Sequence, residues 1–152
     1  MFKILLASVG LVASLVSIDS NATTGSWAKS IQMGVAILHD DPVVKWISPL
    51  FADFPGGASA TYHVTGVAYH WTPYTNGNTH EKVEICYTPW FDASSWLNCT
   101  DISGAQTGTT PAFNSIEYRN GVGFLLRHTL TGGTYPTTLP PGQDTITVNF
   151  TY

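Results

Sequence analysis

Charge is scarce in this sequence. Asp, Glu, Lys and Arg make up 11% of its 152 residues, against about 25% in ordinary soluble domains. Six basic residues and a formal net charge of −4 provide no basic face. That excludes a nucleic-acid footprint and attraction to an anionic membrane surface. Helical periodicity is missing too: beyond the N-terminal apolar run, no stretch repeats apolar residues at three- and four-residue spacing. No later apolar run is long enough to cross a bilayer as a helix, so stable membrane insertion is not expected.

Catalytic patterns are equally thin. There is no Gly-x-Ser-x-Gly elbow and no glycine-rich phosphate loop with its lysine. The histidines His39, His63, His70, His80 and His128 match no metal-ligand spacing. His63 and His70 would fall on opposite faces of one strand. All five read as surface or partly packed side chains. The carboxylates are scattered, mostly at turns, and nothing in their spacing brings two into one cleft. The expectation is a protein that is not an enzyme, with no cofactor and no metal site.

What is present begins with an export signal. Met1-Phe2-Lys3 is a short positive start, Ile4 to Val16 is apolar, and Ser20-Asn21-Ala22 offers small residues to a signal peptidase. Residues 1–22 therefore read as a secretory signal peptide. Residues 23–152 read as one domain with a core of its own. Export places that domain in the periplasm or outside the cell, where disulfides persist. The two cysteines, Cys86 and Cys99, lie in Val83–Ile102, where two extended runs flank a long tip. We expect antiparallel strands tied by a Cys86–Cys99 disulfide.

Alternation with a period of two marks the other strands. It runs through residues 30–38, 60–74 and 122–130, and most cleanly through the end of the chain. There Ile146, Val148, Phe150 and Tyr152 face in, while Thr145, Thr147, Asn149 and Thr151 face out. Residues 43–47 and 113–118 read as shorter strands, and residues 103–111 as a loop. Both faces of 60–74 are partly apolar, which suits a central strand. About seven strands with frequent turns predict a single all-β domain, an antiparallel β-sandwich with one disulfide. A small closed barrel is the second architecture. An outer-membrane barrel is disfavoured, because lipid-facing stripes do not recur in every strand.

The aromatic residues Trp71, Tyr74, Trp90, Phe91 and Trp96 lie at the end of the long strand and around the cysteine tip. Exposed rings there would serve partner binding, either a protein segment or a carbohydrate face. Packing in the core or over the disulfide is the competing role for each of them.

The order of these features resembles the flagellar periplasmic protein FlhE family. The residues that carry the likeness are Gly25-Ser26-Trp27, Met33-Gly34-Val35 with Ala36-Ile37-Leu38, and Val67 to Trp71. Ile85-Cys86 with Cys99, Ser103-Gly104 with Thr107-Gly108-Thr109-Thr110, and Ile146 to Phe150 complete it. The tip between the cysteines is longer than in that family and carries Trp90, Phe91 and Trp96. The resemblance implies a non-enzymatic periplasmic accessory protein of the flagellum. Such a protein is chaperone-like, or gates export of flagellar components, and its partners are secreted flagellar components. A secreted carbohydrate-binding or adhesin-like β-sandwich module is the alternative. Strand addition by an unfolded partner would make the final strand and the aromatic tip the first surfaces to test.

Overall fold

The structure, a computed structural model, describes residues 22–57, 60–88, 97–118 and 122–152. Among these residues nine strands form two antiparallel sheets. They are β1 (Thr24–Ile31), β2 (Val43–Ile47), β3 (Tyr62–His70), β4 (His80–Thr88), β5 (Leu97–Asp101), β6 (Thr107–Thr110), β7 (Glu117–Tyr118), β8 (Gly123–Thr131) and β9 (Asp144–Thr151). One sheet runs β1-β9-β3-β6, with β7 also pairing β3; the other runs β2-β8-β4-β5. The sheets pack face to face as a sandwich, as expected. Seven strands have five or more residues, and β6 and β7 are short additions. The only helical turn among the described residues is a 3-10 turn at Phe51–Asp53. No helix among them is long and apolar enough to cross a membrane.

The core follows the parity of the strands. β9 contributes Ile146, Val148 and Phe150; β8 contributes Phe124, Leu126 and Leu130; β4 contributes Val83 and Ile85. Phe113 packs edge-on to Phe124 at 5.2 Å. At one end Phe54, Tyr62, Phe150 and Tyr152 form a chain of ring contacts between 5.0 and 6.2 Å. Gly25 sits opposite Phe150 in the β1–β9 register. A Cβ there would come within 2.5 Å of the Phe150 ring, so a side chain would displace it.

Two register shifts set the details. The β3–β9 pairing skips Thr65, between Val64 opposite Phe150 and Gly66 opposite Asn149. The extra residue turns the strand by one position. Tyr62 and Val64 therefore face the core before the shift, and Val67 faces it after. Both faces of this stretch looked apolar in sequence because each is the core face for half of its length. In the β4–β5 pairing, the site of the second shift, Cys86 lies opposite Cys99 and is bonded to it. Asn98, with φ of 51°, is the extra residue before Tyr87 pairs with Leu97.

Three expectations are corrected. The strand expected at residues 30–38 is β1, which starts at Thr24 and ends at Ile31. Beyond Ile31 the chain leaves β9 and runs along a loop instead. Ala36 N–H donates to Thr137 Oγ1 at 2.9 Å, and Thr137 N–H to Ala36 O at 2.9 Å. The loop expected at residues 103–111 contains β6, which pairs with β3. The final strand is not a free edge, because β9 is held between β1 and β3.

Candidate functional site

Three titratable side chains meet inside the sandwich, at the end away from the Phe54 ring cluster. His128 comes from β8, Glu81 from β4 and Asp144 from the start of β9. His128 Nδ1 is 2.6 Å from Glu81 Oε1, and Nε2 is 2.8 Å from Asp144 Oδ2. The side chains of His128 and Asp144 are 0% exposed and that of Glu81 is 7% exposed. The remaining carboxylate oxygens are also used. Glu81 Oε2 accepts the Tyr74 N–H at 3.0 Å, and Asp144 Oδ1 accepts the Thr72 N–H at 2.8 Å. The rings of Trp71 and Tyr74 stand edge-on to the imidazole at 5.9 and 5.8 Å.

The electrostatics follow from this geometry. Burial opposes a charge on His128, but the hydrogen bonds to Asp144 and Glu81, with the charges of both, outweigh it and raise the pKa. A neutral imidazole has one N–H and could serve only one carboxylate; the pair selects the imidazolium. Burial, followed by the charges of Glu81 and Asp144, pushes the Tyr74 phenol well above its ordinary value. Both ring nitrogens of His128 are occupied and the ring is sealed from solvent, so it cannot exchange a proton with a substrate. What the cluster does is join the sheets: β8 and β4 belong to one and β9 to the other. Among the described residues, no group of three or more His, Cys, Asp or Glu is placed to hold a metal ion.

The aromatic candidates divide. Trp71 and Tyr74 are interior, 6% and 5% exposed. Trp71 Nε1 donates to Ile102 O at 3.2 Å and Ala105 O at 2.8 Å, and the Tyr74 hydroxyl donates to Gly34 O. Neither presents a face to a partner, which corrects their placement among contact residues. Trp90, Phe91 and Trp96 lie outside the described residues. His39, His63, His70 and His80 are exposed, as expected, whereas His128 is buried with a carboxylate at each ring nitrogen. Sequence reasoning missed the cluster, yet a signal was there. His128 follows Phe124 and Leu126 on the apolar face, Glu81 precedes Val83 by two, and Asp144 precedes Ile146 by two. All three occupy core-facing parity.

Among the described residues, one accessible feature lies where β1 and β2 meet. β1 and β2 are the outer strands of their sheets and lie against one another there. Among the described residues no backbone hydrogen bond joins them. A cleft of about 190 Å3 opens between them, lined by Lys29, Ser30, Ile31, Trp46, Ile47 and Ser48. Lys29 Nζ is held by Asp53 at 2.8 Å. Asp53 Oδ2 also accepts the Leu50 N–H at 2.6 Å, fixing the 3-10 turn beside the cleft.

No protein-family model matches the chain, and no curated protein matches it. Solved structures do. The crystal structure of FlhE superposes with a TM-score of 0.60 at 20% identity, covering 85% of this chain and 98% of that one. The chain has the FlhE fold. The empty head of turnip yellow mosaic virus covers 98% of this chain and 89% of its own at 12% identity and a TM-score of 0.36. Desmodium yellow mottle tymovirus covers 99% and 94% at 14% identity and a TM-score of 0.35. These two overlaps are too loose to define a shared fold.

Proposed function

We propose that this protein is a non-enzymatic accessory factor of the flagellum. It acts in the periplasm as a chaperone-like holder of exported flagellar components. The observation that carries the reading is the FlhE fold, which spans 98% of the FlhE chain. It adds to the residue-level resemblance from Gly25-Ser26-Trp27 through Ile146 to Phe150. The Cys86–Cys99 bond supports an oxidising compartment. The sealed Glu81–His128–Asp144 cluster supports work by contact rather than by chemistry.

Deleting the gene and scoring swimming and filament placement tests this. The expected result is impaired motility or filaments misplaced in the periplasm, restored by the intact gene. Normal motility and placement would sink the flagellar reading. If the protein then also bound sugars tightly on a glycan array, and Trp90→Ala abolished that binding, the carbohydrate-binding alternative would replace it.

A further inference from the structure

The outer face of the β1-β9-β3-β6 sheet differs in kind from that of its partner sheet, where Lys82 and Arg127 converge on Glu84. Outward parity brings Ser26, Ala28 and Ser30 of β1 beside Asn149, Thr147 and Thr145 of β9. Ala68 and His70 of β3 lie opposite Thr147 and Thr145, and Thr109 and Thr107 of β6 lie beyond them. No Asp, Glu, Lys or Arg occupies an outward position of these four strands.

Two rows of side chains cross the sheet as a result. In the first, Ser30 Oγ is 2.7 Å from Thr145 Oγ1, and His70 Nδ1 is 3.1 Å from Thr107 Oγ1. The second row is Ala28, Thr147, Ala68 and Thr109. Its alanines are short, and a recess of about 140 Å3 lies between the rows. Ala68, Tyr69, His70, Thr145 and Thr147 line it. Among the described residues, the Thr147 hydroxyl and His70 Nε2 have no hydrogen-bond partner.

We propose that this recess binds a neutral glycan. The C–H face of a sugar ring rests on Ala68 and the threonine methyls, and its hydroxyls bond Thr147 and His70. The lining selects that class of ligand. Apolar groups supply the floor of a small-ligand site, and a few polar groups fix orientation. A hydroxyl both donates and accepts, which matches a ligand whose own polar groups are hydroxyls. An acidic ligand would find no lysine or arginine on this face to complement it. A protein packed flat against the rows would bury hydroxyls without partners, at a cost in free energy. Strand addition needs a sheet edge, and the recess lies on a face. The rows continue on both sides of the recess with about 4.8 Å between strands, so a chain of sugars has room to run across the sheet. This site goes beyond the flagellar reading and does not use the tip residue Trp90.

The test uses the exported protein, 15N-labelled and purified with its disulfide intact. Four trisaccharides are titrated against it: cellotriose, maltotriose, triacetylchitotriose and the acidic trigalacturonic acid. The expected result is saturable binding of at least one neutral sugar, with amide shifts concentrated in residues 28–30, 68–70, 107–109 and 145–147. Trigalacturonic acid should bind more weakly. For the neutral sugar that binds best, Ala68→Leu, which fills the recess, should abolish binding. Thr147→Val keeps the shape, removes the hydroxyl and should weaken binding about tenfold. Both positions are on the sheet exterior, and circular dichroism verifies that the variants fold. Trp90→Ala should bind like the wild type. Several outcomes overturn the proposal: no saturable binding by any neutral sugar, stronger binding by the acid, shifts centred elsewhere, or undiminished binding by either recess variant. Loss of binding in Trp90→Ala would do so as well. None of these depends on flagella, so the deletion phenotype stands or falls separately.

Discussion

His128 Nε2 lies 2.8 Å from Asp144 Oδ2, and both side chains are wholly excluded from solvent. One group belongs to each sheet, so the contact is an ion pair across the sandwich. Glu81 completes it from the other ring nitrogen. Three buried charges are costly unless each is paired and hydrogen-bonded. Here the Thr72 and Tyr74 amides complete the shell, which fixes the β3–β4 connection onto the same cluster. The result specifies how the two sheets align as much as it adds stability.

The cluster makes stability depend on pH with a definite sign. The folded state holds the His128 proton more tightly than the unfolded chain does. Its contribution is therefore fully present below the ordinary histidine value of about 6.5. It is lost as pH rises through the raised folded value. The urea midpoint of the wild type should fall across that window. His128→Gln should cost about 3–5 kcal/mol at neutral pH, because two carboxylates remain buried without their cation, and should remove the slope. A wild-type curve as flat as that of the variant would show that the imidazole is neutral in the fold.

Tyr74→Phe separates the ring from its hydroxyl. The ring still packs against His128, but the Gly34 carbonyl loses its donor. That bond is part-buried, so the loss should lie at or below the low end of the roughly 1–3 kcal/mol that a fully buried unpaired acceptor costs. The loss should appear locally as faster hydrogen exchange at the Ala36 amide, which bonds Thr137 in the same segment. Unchanged exchange there would mean that the segment is held by the Thr137 and Gln32 contacts alone.

The β-sandwich was legible from alternation in its long strands, cleanest in β9, whose buried face shows without help from the structure. The disulfide was legible from two cysteines on extended runs, read together with an expected export signal. β6 was not, because Thr107-Gly108-Thr109-Thr110 has no apolar alternation. Its pairing comes from β3, whose Tyr69 lies over Gly108. The start of β1 was hidden for a related reason. Lys29 sits at core-facing parity and interrupts the pattern, and its pairing with Asp53 is a tertiary fact. The ion cluster was half legible. Parity places His128, Glu81 and Asp144 inward, but only the strand order β9-β3 over β8-β4 shows that they meet.

Asn98 gives a backbone test of the hairpin. Its φ of 51° lies in the left-handed region, which costs most side chains about 1–2 kcal/mol but suits Asn and Gly. Asn98→Gly should stay within a few tenths of a kcal/mol of wild type. Asn98→Val should lose about 1–2 kcal/mol, read as a lower denaturation midpoint with the disulfide intact. Equal midpoints for the two variants would mean that residue 98 does not hold the left-handed conformation in solution.

The disulfide bears on the unfolded chain more than on the sheet. Cys86 and Cys99 are separated by 13 positions, and closing a loop of that size contributes about 3 kcal/mol by restricting the unfolded ensemble. The cysteines already face one another in the β4–β5 register, while β4 is secured independently by nine paired positions on β8. Cys86→Ala with Cys99→Ala should therefore keep the sandwich and its far-UV spectrum while lowering the urea midpoint by that amount. β5, which among the described residues pairs with β4 alone, should show the largest gain in amide exchange. If the double variant matched the oxidised protein in midpoint and in β5 exchange, strand pairing alone would be holding this edge. The bond would then have to be explained by something other than stability.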